Sequence, residues 1–149
     1  MMRRAFWMAC LACCAHAAQP AAGAAQSSPD SMRSTLAGVY TSAQAARGRD
    51  TFAGLCQSCH SPDTHTGPSF TASWSAQPLS RLFIYISENM PQTDPGTLSP
   101  EQYAQVLAFI LQMNGLPPGP RELPADPAKL RLIRFDTATT TPANGGRSP

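Results

Sequence analysis

Cys56-Gln57-Ser58-Cys59-His60 is the stretch that decides how this chain is read. Two thiols three residues apart fall on one face of a helical turn, and the imidazole of the next residue projects beside them. C-x-x-C-H is the attachment signature of a c-type haem: each thiol adds to one vinyl group, and the histidine nitrogen reaches iron. Two other chemistries use the same residue types. A thiol–disulfide motif needs a strand ahead of it in a βαβ frame, whereas Ala45–Leu55 reads as helix. A zinc site built from Cys56, Cys59, His60 and His65 would crowd its ligands together, where structural zinc draws two pairs separated by about twelve or more residues.

The start of the chain bears on the same question. Arg3 and Arg4 precede a short apolar run, and Ala15-His16-Ala17 is a small-x-small site. These are the three parts of a secretory signal peptide, expected over residues 1–17. Leu11-Ala12-Cys13 also resembles part of a lipoprotein cleavage box, which leaves a lipid anchor as the alternative. Cleavage removes three of the five cysteines, leaving only Cys56 and Cys59. Two cysteines at that spacing make no disulfide framework, so their role must be another one. Export and covalent haem attachment agree, and the expected location is the periplasm. Beyond the signal, no apolar run is long enough to predict an integral membrane span.

Composition narrows the classes further. Of 149 residues only 13% are charged, against about 25% in typical soluble domains. The net charge of +2, with Lys129 the only lysine, gives no basic footprint for nucleic acid. Residues 18–42 are rich in Ala, Ser, Gln and Pro and read as a flexible leader that cannot bury enough surface to offset its ordering. Residues 43–115 read as the folded domain. Residues 116–135 form a Pro-rich extension, either a strap across the domain surface or a docking segment, and residues 136–149 read as a disordered tail.

Within the domain the periodicity is helical. One helix is expected at about Ala43–Cys56, with Gly48, Phe52 and Cys56 on one face, the glycine admitting a close helix crossing. A second runs through Leu79–Asn89. The last begins with Ser99 as N-cap and Pro100 at the first position, and stops at Gly115. Its stripe of Tyr103, Val106, Leu107, Ile110 and Leu111 reads as core against the first helix. No segment alternates at period two for long enough to predict a sheet, so the expected class is all-α. Met90 falls between the second helix and Pro91, which pushes it into extended geometry as a loop residue. A thioether placed there can coordinate iron; a lone methionine is otherwise flexible core filler.

The spaced set of Gly48, Phe52, Cys56–His60, Gly67-Pro68, Met90-Pro91 and a capped helix ending in Asn114-Gly115 resembles the class I cytochrome c family, over about Ala45 to Gly115. The resemblance implies a small helical domain wrapped around one covalent haem c, with His60 and Met90 as the axial ligands of iron. It further implies that Pro68 lends its carbonyl to the axial histidine N–H, and that Trp74 lies near a haem propionate. With the porphyrin as the centre of a small core, Phe52, Leu55, Phe70, Trp74, Leu82, Phe83, Tyr85, Ile86 and Phe109 are the expected lining. The Met90–Ser99 segment is similar to that of bacterial cytochromes serving quinoprotein dehydrogenases. The function implied is one-electron transfer between redox proteins, with such a dehydrogenase as donor and a terminal oxidase or another cytochrome as acceptor. The alternatives are a haem subunit of a dehydrogenase complex and a five-coordinate haem sensor or enzyme. Arg47–Gly115 carries three basic and five acidic residues, so the domain lacks a lysine ring for docking.

Overall fold

The computed structural model describes residues 32–138; the signal-peptide expectation, most of the leader and the end of the tail lie outside the described residues. Five α-helices, two short 3-10 turns (Thr35–Ala37 and Pro62–His65) and one small β-ladder make up this part of the chain. Strand β1 is Arg33–Ser34, helix α1 Ser42–Leu55, α2 Gly67–Trp74, α3 Leu79–Asn89, α4 Pro100–Met113, α5 Pro127–Leu130 and strand β2 Ile133–Arg134. No described helix is long and apolar enough to cross a membrane.

The frame of the domain is the α1–α4 pair. Thr41 caps α1 by accepting the Gln44 N–H through its side chain at 3.1 Å. Ser99 and Gln102 form a reciprocal capping box at the start of α4, satisfying donors that have no partner within the helix. Gly115, at φ 71°, turns the chain out of α4 in the left-handed geometry that glycine tolerates best. Where the two helices cross, a Cβ on Gly48 would overlap the Gln105 carbonyl, so hydrogen is the only substituent that fits. The α4 stripe is buried as its spacing predicts, and Ala104 and Ala108 let α1 approach. Helix α3 buries Leu79, Leu82, Phe83 and Ile86 on one face.

Three expectations require correction. Residues 33–42 are not a flexible leader: β1 pairs in parallel with β2, Arg33 opposite Ile133, and Val39 and Tyr40 are core residues. The segment after Gly115 is more than a surface strap, because Leu116, Leu123, Leu130, Ile133 and Phe135 are all buried in the one core. The described part of the tail is also tied down. The Asp136 N–H donates to Thr35 Oγ1 at 2.8 Å, and that hydroxyl donates to the Asp136 carbonyl at 2.7 Å. A two-residue parallel ladder is thus present in a fold that is otherwise all-α.

The strap is held by buried polar contacts. Gln44 donates through Nε2 to the Leu123 carbonyl (2.9 Å) and accepts the Leu123 N–H on Oε1 (2.7 Å), acting as a strand partner built from a side chain. Tyr40 donates its hydroxyl to the Leu116 carbonyl, and its own carbonyl accepts the Gly119 N–H. Burial pushes the Tyr40 phenol above its ordinary value. Further on, Phe135 exchanges backbone hydrogen bonds with Ala76 and Gln77, joining the strap to the α2–α3 connection.

Candidate functional site

The C-x-x-C-H segment continues α1 as a further turn. Cys56 and Gln57 both donate to the Phe52 carbonyl, and Cys59 and His60 both donate to that of Cys56, at 2.9–3.1 Å. Cys56 and Cys59 are therefore held one turn apart with free thiols, Cys56 half-buried and Cys59 exposed. Burial first, and the neighbouring Cys59 second, push the Cys56 thiol above its ordinary value.

Both cysteines and His60 line a cavity of about 870 Å³, within the range of small-molecule and cofactor pockets. Its walls come from α2, α3 and α4 as well as from the motif, through Phe70, Trp74, Leu82, Tyr85, Ile86, Val106 and Ile110. Met90 lines it too. The lining contains no Asp, Glu, Lys or Arg among the described residues, and apolar surface predominates. A flat aromatic macrocycle with two reactive vinyl groups fits that donor set. Thiols stand in the wall for covalent attachment, and an imidazole and a thioether are present for iron. Cys56, Cys59, His60 and Met90 are the residues that would hold it.

Met90 has the extended backbone expected before a proline, at φ −129° and ψ 147°. Its N–H donates to the Ile86 carbonyl at 3.0 Å, the last bond of α3. Its carbonyl accepts the Tyr103 hydroxyl at 2.7 Å. Trp74 ends α2 and packs between Phe70 and Tyr85, with ring centroids 6.3 and 5.8 Å away.

Pro68 is placed elsewhere. It opens α2, its carbonyl accepts the Thr71 hydroxyl at 3.1 Å, and it lines a separate shallow pocket with Asn114 and Thr137. The residue beside His60 is His65, whose ring meets that of His60 edge-on at 5.2 Å. His65 is packed against Phe52 and Phe70, and its carbonyl accepts the Asn114 side chain at 2.8 Å. Burial, then the neighbouring His60, push its imidazole below the ordinary value, outweighing the hydrogen bond to Ser61. The turn Pro62–His65 that follows the motif is thereby braced against α1, α2 and the end of α4.

Seven of the nine expected lining residues are found in the wall. Phe83 instead packs on the ring of Tyr103, and Phe109 on that of Phe52, both one layer behind the cavity. Sequence reasoning assigned Tyr103, Val106 and Ile110 to the helix–helix core alone. Their spacing on α4 gives them the cavity as well, because the α1 contact and the cavity share one flank of that helix.

The model of the family described as cytochrome C oxidase, cbb3-type, subunit III matches residues 43–110. No curated protein and no solved structure matches the chain. The matched span runs from the first turn of α1 into the last turn of α4. Every residue lining the cavity falls inside it, from Phe52 to Ile110.

Proposed function

We propose, from the premise that residues 43–110 are a class I c-type cytochrome domain carrying covalently bound haem c, that this chain is a one-electron carrier of the periplasm. The bound group supplies one-electron cycling of its iron. In this reading Cys56 and Cys59 form the two thioether links, His60 is the proximal ligand and Met90 the second axial ligand. The observation that carries it is the convergence of Met90 with Cys56, Cys59 and His60 on one cavity, although Met90 is supplied by a different helix end. Methionine paired with histidine raises the potential of the iron. Two protein ligands also leave no open position for a substrate or a gas, which favours a carrier over a sensor or an enzyme.

Donor and acceptor are redox proteins in this reading. A quinoprotein dehydrogenase suits the Met90–Ser99 resemblance, and a terminal oxidase suits the family match. The signal-like start of the chain and the extracytoplasmic chemistry of haem attachment support the periplasm.

The test is Met90→Ala in the holoprotein. The weak far-red ferric band that reports a methionine–iron bond should disappear, the midpoint potential should fall, and the ferrous form should take up carbon monoxide. A variant that keeps the band and excludes carbon monoxide would overturn the ligand assignment. Size-exclusion chromatography of native extract separates a free carrier from a subunit held in a dehydrogenase complex.

A further inference from the structure

Among the described residues, one side chain, the phenol of Tyr103, bonds both ends of the loop that follows Met90. Tyr103 is 4% exposed, sits on the first turns of α4 and lines the cavity. Its hydroxyl donates to the Met90 carbonyl at 2.7 Å and accepts the Gly96 N–H at 3.1 Å. One oxygen thus bonds both ends of the 90–96 loop, using its donor and an acceptor lone pair together. Within the loop Asp94 donates to the Pro91 carbonyl, and residues 92–97 are exposed. The ring is fixed independently of the hydroxyl: it packs edge-on against Phe83 at 6.4 Å, and its backbone N–H donates to Ser99, the α4 cap. Met90 is therefore held from two helices, by its N–H to α3 and by its carbonyl to α4.

We infer that Tyr103 is a positioning residue for the axial methionine: its hydroxyl holds the Met90 loop closed over the cavity and so keeps competing ligands from the iron. This rests on the assignment of Met90 as ligand. A carrier whose methionine is displaced takes a different potential, so the loop must stay shut while the protein exchanges partners. A buried hydroxyl with two partners at the loop's ends gives that closure without contacting the iron.

The test uses ferric holoprotein and imidazole as the competing ligand. Tyr103→Phe keeps the ring against Phe83 and deletes only the hydroxyl. Loss of the hydroxyl's two hydrogen bonds to the loop predicts imidazole binding tighter by roughly five- to 150-fold, with weakening of the far-red band. Tyr40→Phe deletes another buried hydroxyl, bonded to the Leu116 carbonyl, and should lower stability without moving imidazole affinity. Equal affinities in Tyr103→Phe and the parent protein, or an equal shift in Tyr40→Phe, would overturn the inference. Met90→Ala distinguishes the two layers. If it changes the band and imidazole affinity while Tyr103→Phe does not, only the positioning role fails; if it changes neither, the ligand assignment fails and takes the inference with it. Hydrogen exchange needs no variant. The Gly96 amide should be protected relative to its exposed neighbours, and exchange at their rate would equally count against the tether.

Discussion

Replacing Gln44 with methionine tests whether the segment after Gly115 belongs to the folded core. Gln44 is 2% exposed, and its side chain satisfies both the N–H and the carbonyl of Leu123. Methionine has nearly the same length and volume, so packing on α1 is kept while both bonds are lost. Each buried backbone group left without a partner costs about 1–3 kcal/mol, so the pair predicts a loss of about 2–6 kcal/mol. That is a large share of the roughly 5–15 kcal/mol by which domains are stable. Urea unfolding of the holoprotein, followed by far-UV circular dichroism, reads it directly through the midpoint at unchanged slope. The control is Arg47→Ala. Arg47 pairs with Glu122 one residue before Leu123, but both side chains are about half exposed, so the cost should stay within about 1 kcal/mol. A Gln44→Met loss no larger than that of Arg47→Ala would refute the reasoning, since it would mean that water reaches Leu123 and the strap is loosely held.

Three further outcomes follow from the same geometry. Gly48→Ala places a methyl against the Gln105 carbonyl, and should force α1 and α4 apart at a cost of about 1–3 kcal/mol or more, read as a lowered thermal midpoint. Phe135→Ala removes a ring that is 1% exposed and packed on Phe70, and should cost about 3–5 kcal/mol; a change under 0.5 kcal/mol would place Phe135 in a mobile tail. Burial raises the Asp136 carboxyl, but hydrogen bonds from Arg134 and Ser34 and the Arg134 charge outweigh it, leaving the group below its ordinary value. Its contribution is then fully present above about pH 3.9, the ordinary aspartate value, and is lost as pH falls through the lower folded value. The stability difference between the parent protein and Asp136→Asn should therefore shrink on acidification below that point, and a difference that is constant between pH 5 and pH 2.5 would contradict it.

What could be read in the sequence was what short range fixes. Helices α1, α3 and α4 carry their own caps and stripes. The expected bounds of α3 match those observed, and α1 begins and ends one residue earlier than expected. Met90 left its helix where Pro91 required. Helix α2 was not read because Gly67-Pro68 looks like a break, whereas the glycine takes φ 77° and the proline then occupies a first-turn position that has no need of its N–H. The burial of Tyr40, Leu123 and Phe135 was hidden for a different reason. Their partners lie far along the chain, as in the bonds of Gln44 to Leu123 and of Thr35 to Asp136, and prolines between the apolar residues erase any period. Pro68 begins a helix and its carbonyl accepts the Thr71 hydroxyl within that helix, while the ring beside His60 is that of His65. Tyr103 was legible as a core residue, but its hydroxyl's task depends on where the 90–96 loop comes to rest.

The two halves of the molecule also bury their surface by different means. On the strap side, Leu111, Leu116, Leu123, Leu130 and Ile133 belong to the one buried core, with α5 and β2 packed on α3, and no polar side-chain atom is left buried without a partner among the described residues. That half is complete as protein. On the cavity side, Phe70, Leu82, Ile86 and Val106 are buried and line the cavity. A domain this small buries only about 60–70% of its unfolded surface, so the cavity wall is a substantial part of its core. The two halves meet at Phe70, which touches Phe135 of the strap on one side and Trp74 and His65 of the cavity on the other. Loosening the strap at Phe135 therefore acts on the cavity through this ring. The order of effects follows: Phe135→Ala should disturb the haem environment as well as stability, whereas Gln44→Met, whose lost bonds are to Leu123 and not to a ring partner of Phe70, should lower stability and leave the visible spectrum of the folded protein unchanged.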